Sequence, residues 1–334
     1  MKTMKTLAVI FVVLGYAAFG YLFPSRAAAE KIRTAIPQAN LNYLSIYAAE
    51  ARGYFKDEGF EPETVIIAGP SGSAALLSGD VDYSGAGGSG MRAATKGAPI
   101  KAIMFQTERV TFYLVTAPAI TKVTDLKGKK VAIGNIGDTQ DTLMTMLAER
   151  EGLSAKDIIR ISTGPSTSAR ILAIKTGSVS AGTMDPAGVV LSEKEGLRTL
   201  AYLGALFPMP FQGFVTTDKK IAENPAQIKR WLKAMVRGLM FVRERPEEAT
   251  AIGVKKLQLG AITKPLLLEA IKRYLQAVPD GVPGVPSKEG IKNLLEYDVR
   301  IPMGIKEPIR PETVLSLRFV EEVKKELESA GAAR

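Results

Sequence analysis

The residues best suited to chemistry in this chain are small and polar, and they gather where apolar strands give way to helices. Ile66 to Arg92 reads IIAGPSGSAALLSGDVDYSGAGGSGMR, with Ser71, Gly72 and Ser73 opening one helix and Gly88 and Ser89 opening another. Such junctions present unpaired backbone N–H groups, hydroxyls and a positive helix end, which together suit an anionic or polar small molecule. Further along, Asp138 and Thr139 form a comparable loop, and Asp185 follows a strand just ahead of Pro186. Asn42 and Tyr43 follow the first strand, and Phe211 sits at a chain crossing, so Tyr43 and Phe211 offer walls for an apolar or aromatic ligand body. No pair of carboxylates is spaced for acid–base catalysis. The 334 residues contain no histidine and no cysteine, which excludes Ser–His triads, imidazole chemistry, thiol nucleophiles and thiolate metal sites. Neither a metal nor a cofactor is expected.

The elements that position these residues recur. Gly69-Pro70-Ser71-Gly72-Ser73-Ala74 is echoed by Gly164-Pro165-Ser166-Thr167-Ser168-Ala169, and each copy leads through an apolar helix to a Gly-x-Val-x turn and a strand. The second helix is expected to be three residues longer than the first, about one turn. The echo predicts two similar α/β lobes.

Strands are expected at Lys31–Ile36, Glu63–Ala68, Ile100–Gln106, Phe112–Thr116, Val131–Gly134, Ile158–Ser162, Val179–Thr183 and Gly213–Thr217, separated by helices, with Leu197–Leu203 closing the second lobe. That alternation implies mostly parallel sheets with the site at the carboxyl ends of strands. From Asn224-Pro225 onward the pattern is helical, with a Gly/Pro-rich hinge at Pro279–Pro286. The expected organisation is lobe 1 from residues 30–117 and 213–334, including the C-terminal helices, and lobe 2 from 118–212.

At the N-terminus, Lys2 and Lys5 precede an uncharged run from Leu7 to Phe23, then Pro24 and Ala27-Ala28-Ala29. This is the layout of a secretory signal over residues 1–29, cleaved near Ala29; an uncleaved anchor is the other reading. The net charge is +10, falling to +7 when Lys2, Lys5 and Arg26 are removed. The remaining cations are interleaved with acids along helices, and aromatics are sparse, so nucleic acid is not an expected partner.

Three segments carry a family resemblance: Ala48-Ala49-Glu50-Ala51-Arg52-Gly53-Tyr54-Phe55-Lys56-Asp57-Glu58-Gly59-Phe60, Leu77-Ser78-Gly79-Asp80-Val81-Asp82, and Asp125-Leu126-Lys127-Gly128-Lys129-Lys130-Val131-Ala132-Ile133. Over roughly Lys31 to Leu257 the chain resembles the periplasmic substrate-binding proteins of ABC importers, in the sulfonate, nitrate and thiamine-precursor binding group (NMT1/THI5-like). The resemblance implies a type II periplasmic-binding-protein fold, with two lobes joined by two crossing strands that close on ligand. It also implies docking on an inner-membrane ABC permease, and a monomer. Yeast members of the group are thiamine-pyrimidine synthases that depend on histidine and cysteines, which this chain lacks, so that activity does not carry over.

Gly85-Ala86-Gly87-Gly88-Ser89-Gly90 imitates a dinucleotide fingerprint, with Glu108 near the end of the next strand. The helix after it is too brief and the unit is not the first of the chain, so the glycines are read as bringing backbone N–H groups against a ligand. Arg92, one turn into that helix, is expected to face solvent. The reading that results is a non-catalytic periplasmic receptor for a small polar or anionic molecule, with an aromatic or pyrimidine-like body open. The alternatives are a dehydratase-like enzyme on the same scaffold, with Asp138, Asp185 or Glu108 as acid or base, and a ligand-binding partner of a membrane sensor.

Overall fold

The computed structural model describes residues 29–332 apart from 68, 165 and 261. The expected signal segment therefore lies outside the described residues. Residues 31–334 form one compact unit that carries two five-stranded mixed sheets flanked by helices. No helix among the described residues is long and apolar enough to cross a membrane.

The first sheet has the order β2-β1-β3-β10-β4, built from β1 (Glu30–Ile36), β2 (Phe60–Ile66), β3 (Tyr83–Ser84), β4 (Ile100–Thr107) and β10 (Phe211–Thr217). The second has the order β7-β6-β8-β5-β9, from β5 (Tyr113–Thr116), β6 (Lys130–Ile133), β7 (Ile159–Ser162), β8 (Ala181–Met184) and β9 (Arg198–Tyr202). One strand in each sheet has crossed over from the other. β10 runs antiparallel to both β3 and β4, and β5 runs antiparallel to both β8 and β9. A strand that enters from the opposite sheet arrives from the far end, so it must pair against its new neighbours.

The first crossing comes earlier than the residue 117 boundary expected from sequence. Tyr113 to Thr116 bond to Met184–Ala181 and to Tyr202–Arg198, so β5 belongs with the second sheet and the chain changes sheets between Thr107 and Tyr113.

The helices that matter to the site are α1 (Leu44–Ala51), α2 (Gly69–Ser78), α3 (Gly87–Ala94), α4 (Thr139–Arg150), α5 (Thr167–Lys175), α6 (Pro186–Lys194), α7 (Pro225–Glu244), α8 (Pro246–Lys256), α9 (Lys264–Leu275) and α10 (Lys288–Leu294). The echoed segments adopt related backbones: Gly69 and Gly164 both take the left-handed conformation, at φ 46° and 63°. Their helices are not offset as expected, since α2 has 10 residues and α5 has 9. The reason is capping. Ser166 accepts from the Ala169 N–H at 3.2 Å and starts α5 at Thr167, whereas Gly69 and Pro70 are already inside α2.

The core follows the apolar patterning. Ile32, Ile36, Tyr83 and Phe214 of the first sheet pack on Ile228, Trp231, Leu232 and Met235 of α7. Val115 and Ala132 of the second sheet pack with Ile174 and Val189 on α5 and α6. Ala187 and Val190 of α6 also join Leu44, Leu239, Leu267 and Ile271, which ties the second sheet's helix to α1, α7 and α9.

The glycines of the GAGGSG run are set by packing. A Cβ on Gly87 would lie 2.5 Å from the Gly213 carbonyl oxygen, and one on Gly90 would lie 2.9 Å from Val215. The run therefore seats α3 directly on β10. Gly87→Ala is expected to cost roughly 1–3 kcal/mol, because the obstacle is backbone that cannot rotate away. A shifted midpoint in urea denaturation with an unchanged slope would show it; an unshifted midpoint would refute this role.

Candidate functional site

A cavity of about 220 Å³ opens between the two sheets. Its walls are the loops that follow β1, β3, β6 and β8, so the carboxyl ends of parallel strands from both sheets face it. Of the residues singled out from sequence, Asn42, Tyr43, Gly88, Ser89, Asp138, Thr139, Asp185 and Phe211 line it.

Ser71, Gly72 and Ser73 do not. Because α2 starts at Gly69, they fall within its first turn, and Gly69 lines the cavity instead. Gly72 rests against β3, where an added Cβ would meet the Ser84 hydroxyl at 2.8 Å.

On the first-sheet side, Tyr43 is buried and its hydroxyl donates to the Gly85 carbonyl at 2.9 Å. Its ring packs edge-on against Phe214, with centroids 6.2 Å apart. Asn42 accepts from Thr111 at 3.1 Å through Oδ1. Phe112, at the start of the strand expected at Phe112–Thr116, lines the cavity together with Phe211, their rings edge-on at 5.0 Å. The two rings make an apolar wall beside the polar one.

On the second-sheet side two aspartates serve as helix caps. Asp138 accepts from the Asp141 N–H at 3.0 Å and the Asn135 N–H at 2.7 Å, and Asp185 accepts from the Gly188 N–H at 2.8 Å. Burial raises the pKa of both carboxyls above their usual range, against the pull of those N–H groups. Glu108, the remaining acid of the enzyme alternative, lies outside the cavity lining and accepts from Ser287 at the start of α10.

A raised carboxyl pKa means the folded protein prefers the protonated form. The stability Asp185 contributes is fully present below its unfolded value of 3.8 and is lost as pH rises through the folded value. Asn caps a helix about as well as Asp. Asp185→Asn is therefore expected to gain on the wild type as pH rises from acid to neutral, read as a widening gap in melting temperature. A gap that stays constant with pH would refute it.

Sequence reasoning missed several lining residues. Arg92 is not a solvent group. It is largely buried, donating from Nη1 to the Asp298 carbonyl at 2.8 Å and to Asp298 Oδ1 at 3.2 Å. Asp298 also accepts from Thr139 at 2.7 Å, so it links α3 of the first sheet to α4 of the second. Gly88 leaves room for this, since a Cβ there would sit 2.7 Å from Asp298 Oδ2.

Arg170 is 4% exposed and donates to the Gly164 carbonyl at 3.0 Å, to Gln140 at 3.2 Å and to the Thr183 carbonyl. Burial lowers its pKa, while Asp185 and Asp138 oppose the shift. Gln212 is equally buried and lines the same space. Arg170 had one signal in the sequence, because the echo of GPSGSA-Ala75 by GPSTSA-Arg170 breaks at that position. Gln212 had none.

The described residues contain no group of three or more acidic side chains placed to hold a metal ion. What the cavity offers is a polar end with two guanidinium groups and three carboxylates, all engaged in hydrogen bonds, and an aromatic end.

Comparison with known proteins gives the family and the fold. A family profile described as NMT1/THI5 like matches residues 40–249. The riboflavin-binding protein RibY of Chloroflexus aurantiacus is 24% identical over 237 residues, covering 67% of this chain and 66% of that protein. A 4-amino-5-hydroxymethyl-2-methylpyrimidine phosphate synthase of Candida albicans is 27% identical over 229 residues, covering 63% of this chain and 66% of that one. The chain thus spans just under two thirds of the length of these curated relatives. Among solved structures, the periplasmic aliphatic sulphonate binding protein SsuA of Escherichia coli aligns over 86% of this chain and 97% of its own, with a TM-score of 0.69 at 18% identity. The fold is shared with that protein.

Proposed function

The chain belongs to the NMT1/THI5-like family, and from that premise we propose that it is a solute receptor. It takes a small polar or anionic molecule between its two sheets and presents it to an ABC permease in the inner membrane. The observation that carries the reading is the cavity itself, which draws its polar groups from strand ends of both sheets and is closed on one side by Phe112 and Phe211. A ligand that touches both halves stabilises the closed arrangement only by its differential affinity for it, and that difference is the signal a permease can read. On this reading the halves are lobes joined by the two crossings, the protein acts in the periplasm as a monomer, and the N-terminal segment directs export.

At about 220 Å³ the space is below the roughly 300–1,000 Å³ of sites for drug-sized ligands. A small molecule fits this conformation, and a flavin-sized one requires it to widen. The enzyme reading has the named synthase in its favour, but the chain contains neither histidine nor cysteine. Of the aspartates at the cavity, Asp138 and Asp185 cap helices and Asp298 is paired with Arg92. Binding without turnover is the simpler use of these groups.

The test is a thermal-shift screen of the purified protein against sulfonates, nitrate, pyrimidines, flavins, and aliphatic and aromatic acids. A ligand of the folded state raises the melting temperature, by about 2.7 kcal/mol of stabilisation at a hundredfold excess over Kd. One class that shifts the transition and is recovered unchanged supports the receptor. Conversion of that ligand would establish the enzyme instead.

A further inference from the structure

Several buried side-chain polar atoms among the described residues have no hydrogen-bond partner, and only two of them belong to residues that line the cavity: Arg170 Nε and Gln212 Nε2. Both are N–H donors. Buried donors are normally satisfied, and one left open costs the desolvation of its N–H, so such a pair on residues that line a cavity points to an acceptor supplied by a ligand.

The surroundings fix which atoms are open. The Tyr274 hydroxyl is fully buried and requires an acceptor, which it finds in Gln212 Oε1 at 3.3 Å. That bond turns the amide so that its NH₂ end is the one without a partner. Gln212 is moreover the one non-glycine residue in the left-handed region among the described residues, at φ 57°. Strain of this kind persists where the surroundings over-determine the position, and it concentrates at ligand clamps. In Arg170, the Nη1 and Nη2 groups are held by Thr183, Gln140 and Gly164. Nε is the one guanidinium nitrogen that makes no hydrogen bond, and its direction is fixed by the other three bonds. The nearby carboxylates of Asp138 and Asp185 accept from backbone N–H groups and leave Nε without a partner.

We propose that Arg170 and Gln212 are the specificity-determining pair of this site, and that the ligand is a small organic anion carrying a second, neutral acceptor. Its anionic oxygen accepts from Arg170 Nε in a charge-assisted bond. Its carbonyl oxygen accepts from Gln212 Nε2, and any apolar remainder lies against Phe112 and Phe211. Oxo acids and N-acyl acids have this pattern, whether the anionic group is a carboxylate or a sulfonate. The proposal rests on the receptor reading and narrows it.

Matched probes test it by calorimetry on the full protein: 2-oxobutanoate and N-acetylglycine, butanoate without the second acceptor, butanamide without the charge, and uracil as a neutral pyrimidine. The acids with a carbonyl are expected to bind at least roughly tenfold more tightly than butanoate, the worth of one satisfied donor. Gln212→Gly made together with Tyr274→Phe removes the amide without stranding the Tyr274 hydroxyl and relieves the backbone strain, so the variant is expected to fold. In that background it should abolish the preference of the carbonyl acids over butanoate. Arg170→Met should abolish binding of every acid. A preference that survives Gln212→Gly overturns the pair. Binding of uracil with no binding of the acids overturns this proposal alone and leaves the receptor standing, whereas silence from every probe overturns both for ligands of this size. A sulfonate counterpart, acetamidomethanesulfonate, then shows which anionic group the site prefers.

Discussion

Trp231→Ala is expected to destabilise the protein by about 3–5 kcal/mol, the cost of emptying a large aromatic site in a closed core. Trp231 is fully buried on α7, stacked on Tyr83 with ring centroids 4.0 Å apart and edge-on to Phe214 at 5.2 Å. Its indole N–H donates to Thr34 at 3.2 Å. One side chain thus touches β1, β3 and β10, the strands that carry Asn42, Tyr43, Gly88 and Phe211 to the cavity. The loss has two parts, the vacated volume and the polar contact. Trp231→Phe keeps most of the volume and should cost less than half as much. In a chain of this size the alanine variant should melt on the order of 10 °C lower. If both variants melt within a degree or so of the wild type, the first sheet is not held by this residue.

Much of the fold could be read from the chain because its determinants are local. Every strand expected from the sequence exists, since each depends on a short apolar run bounded by glycine, proline or polar residues. Pro225, Pro186 and Ser287 each mark a helix start where they stand. What could not be read depends on contacts far apart along the chain. The GAGGSG run has the spacing of a ligand loop, but Gly87 and Gly90 are small because β10 passes within contact of them, and β10 comes much later in the sequence. The serines after Gly69 looked like caps, yet one residue's choice of where α2 begins moved them out of the cavity and left Gly69 in it. Arg92 reads as a surface cation on a short helix because Asp298, its partner, belongs to the C-terminal segment. Residues that a strand end carries into the cavity were visible, as with Asp185. Those defined by an unusual backbone, as with Gln212, were not.

The pairing of Arg92 with Asp298 leads to the other large effect. Asp298 is 3% exposed, and Arg92 keeps only 14% of its side chain in water, so neither is strongly screened. Arg92→Met should therefore cost about 3–5 kcal/mol, because it leaves a buried carboxylate with Thr139 as its side-chain donor. Removing the charge as well should recover most of that loss, as apolar replacement of a whole buried pair is often neutral. Arg92→Met with Asp298→Leu is the comparison, analysed as a double-mutant cycle by urea denaturation. A large single-mutant loss with strong coupling identifies the pair as a structural tie. The double variant, though stable, also lacks the Thr139–Asp298 bond that joins α4 to α3 across the cavity. On the receptor reading it should bind ligand more weakly than its stability alone would suggest, since it loses a contact that holds the two sides of the cavity together. A single variant within 1 kcal/mol of the wild type would show that Arg92 contributes as little as an exposed ion pair.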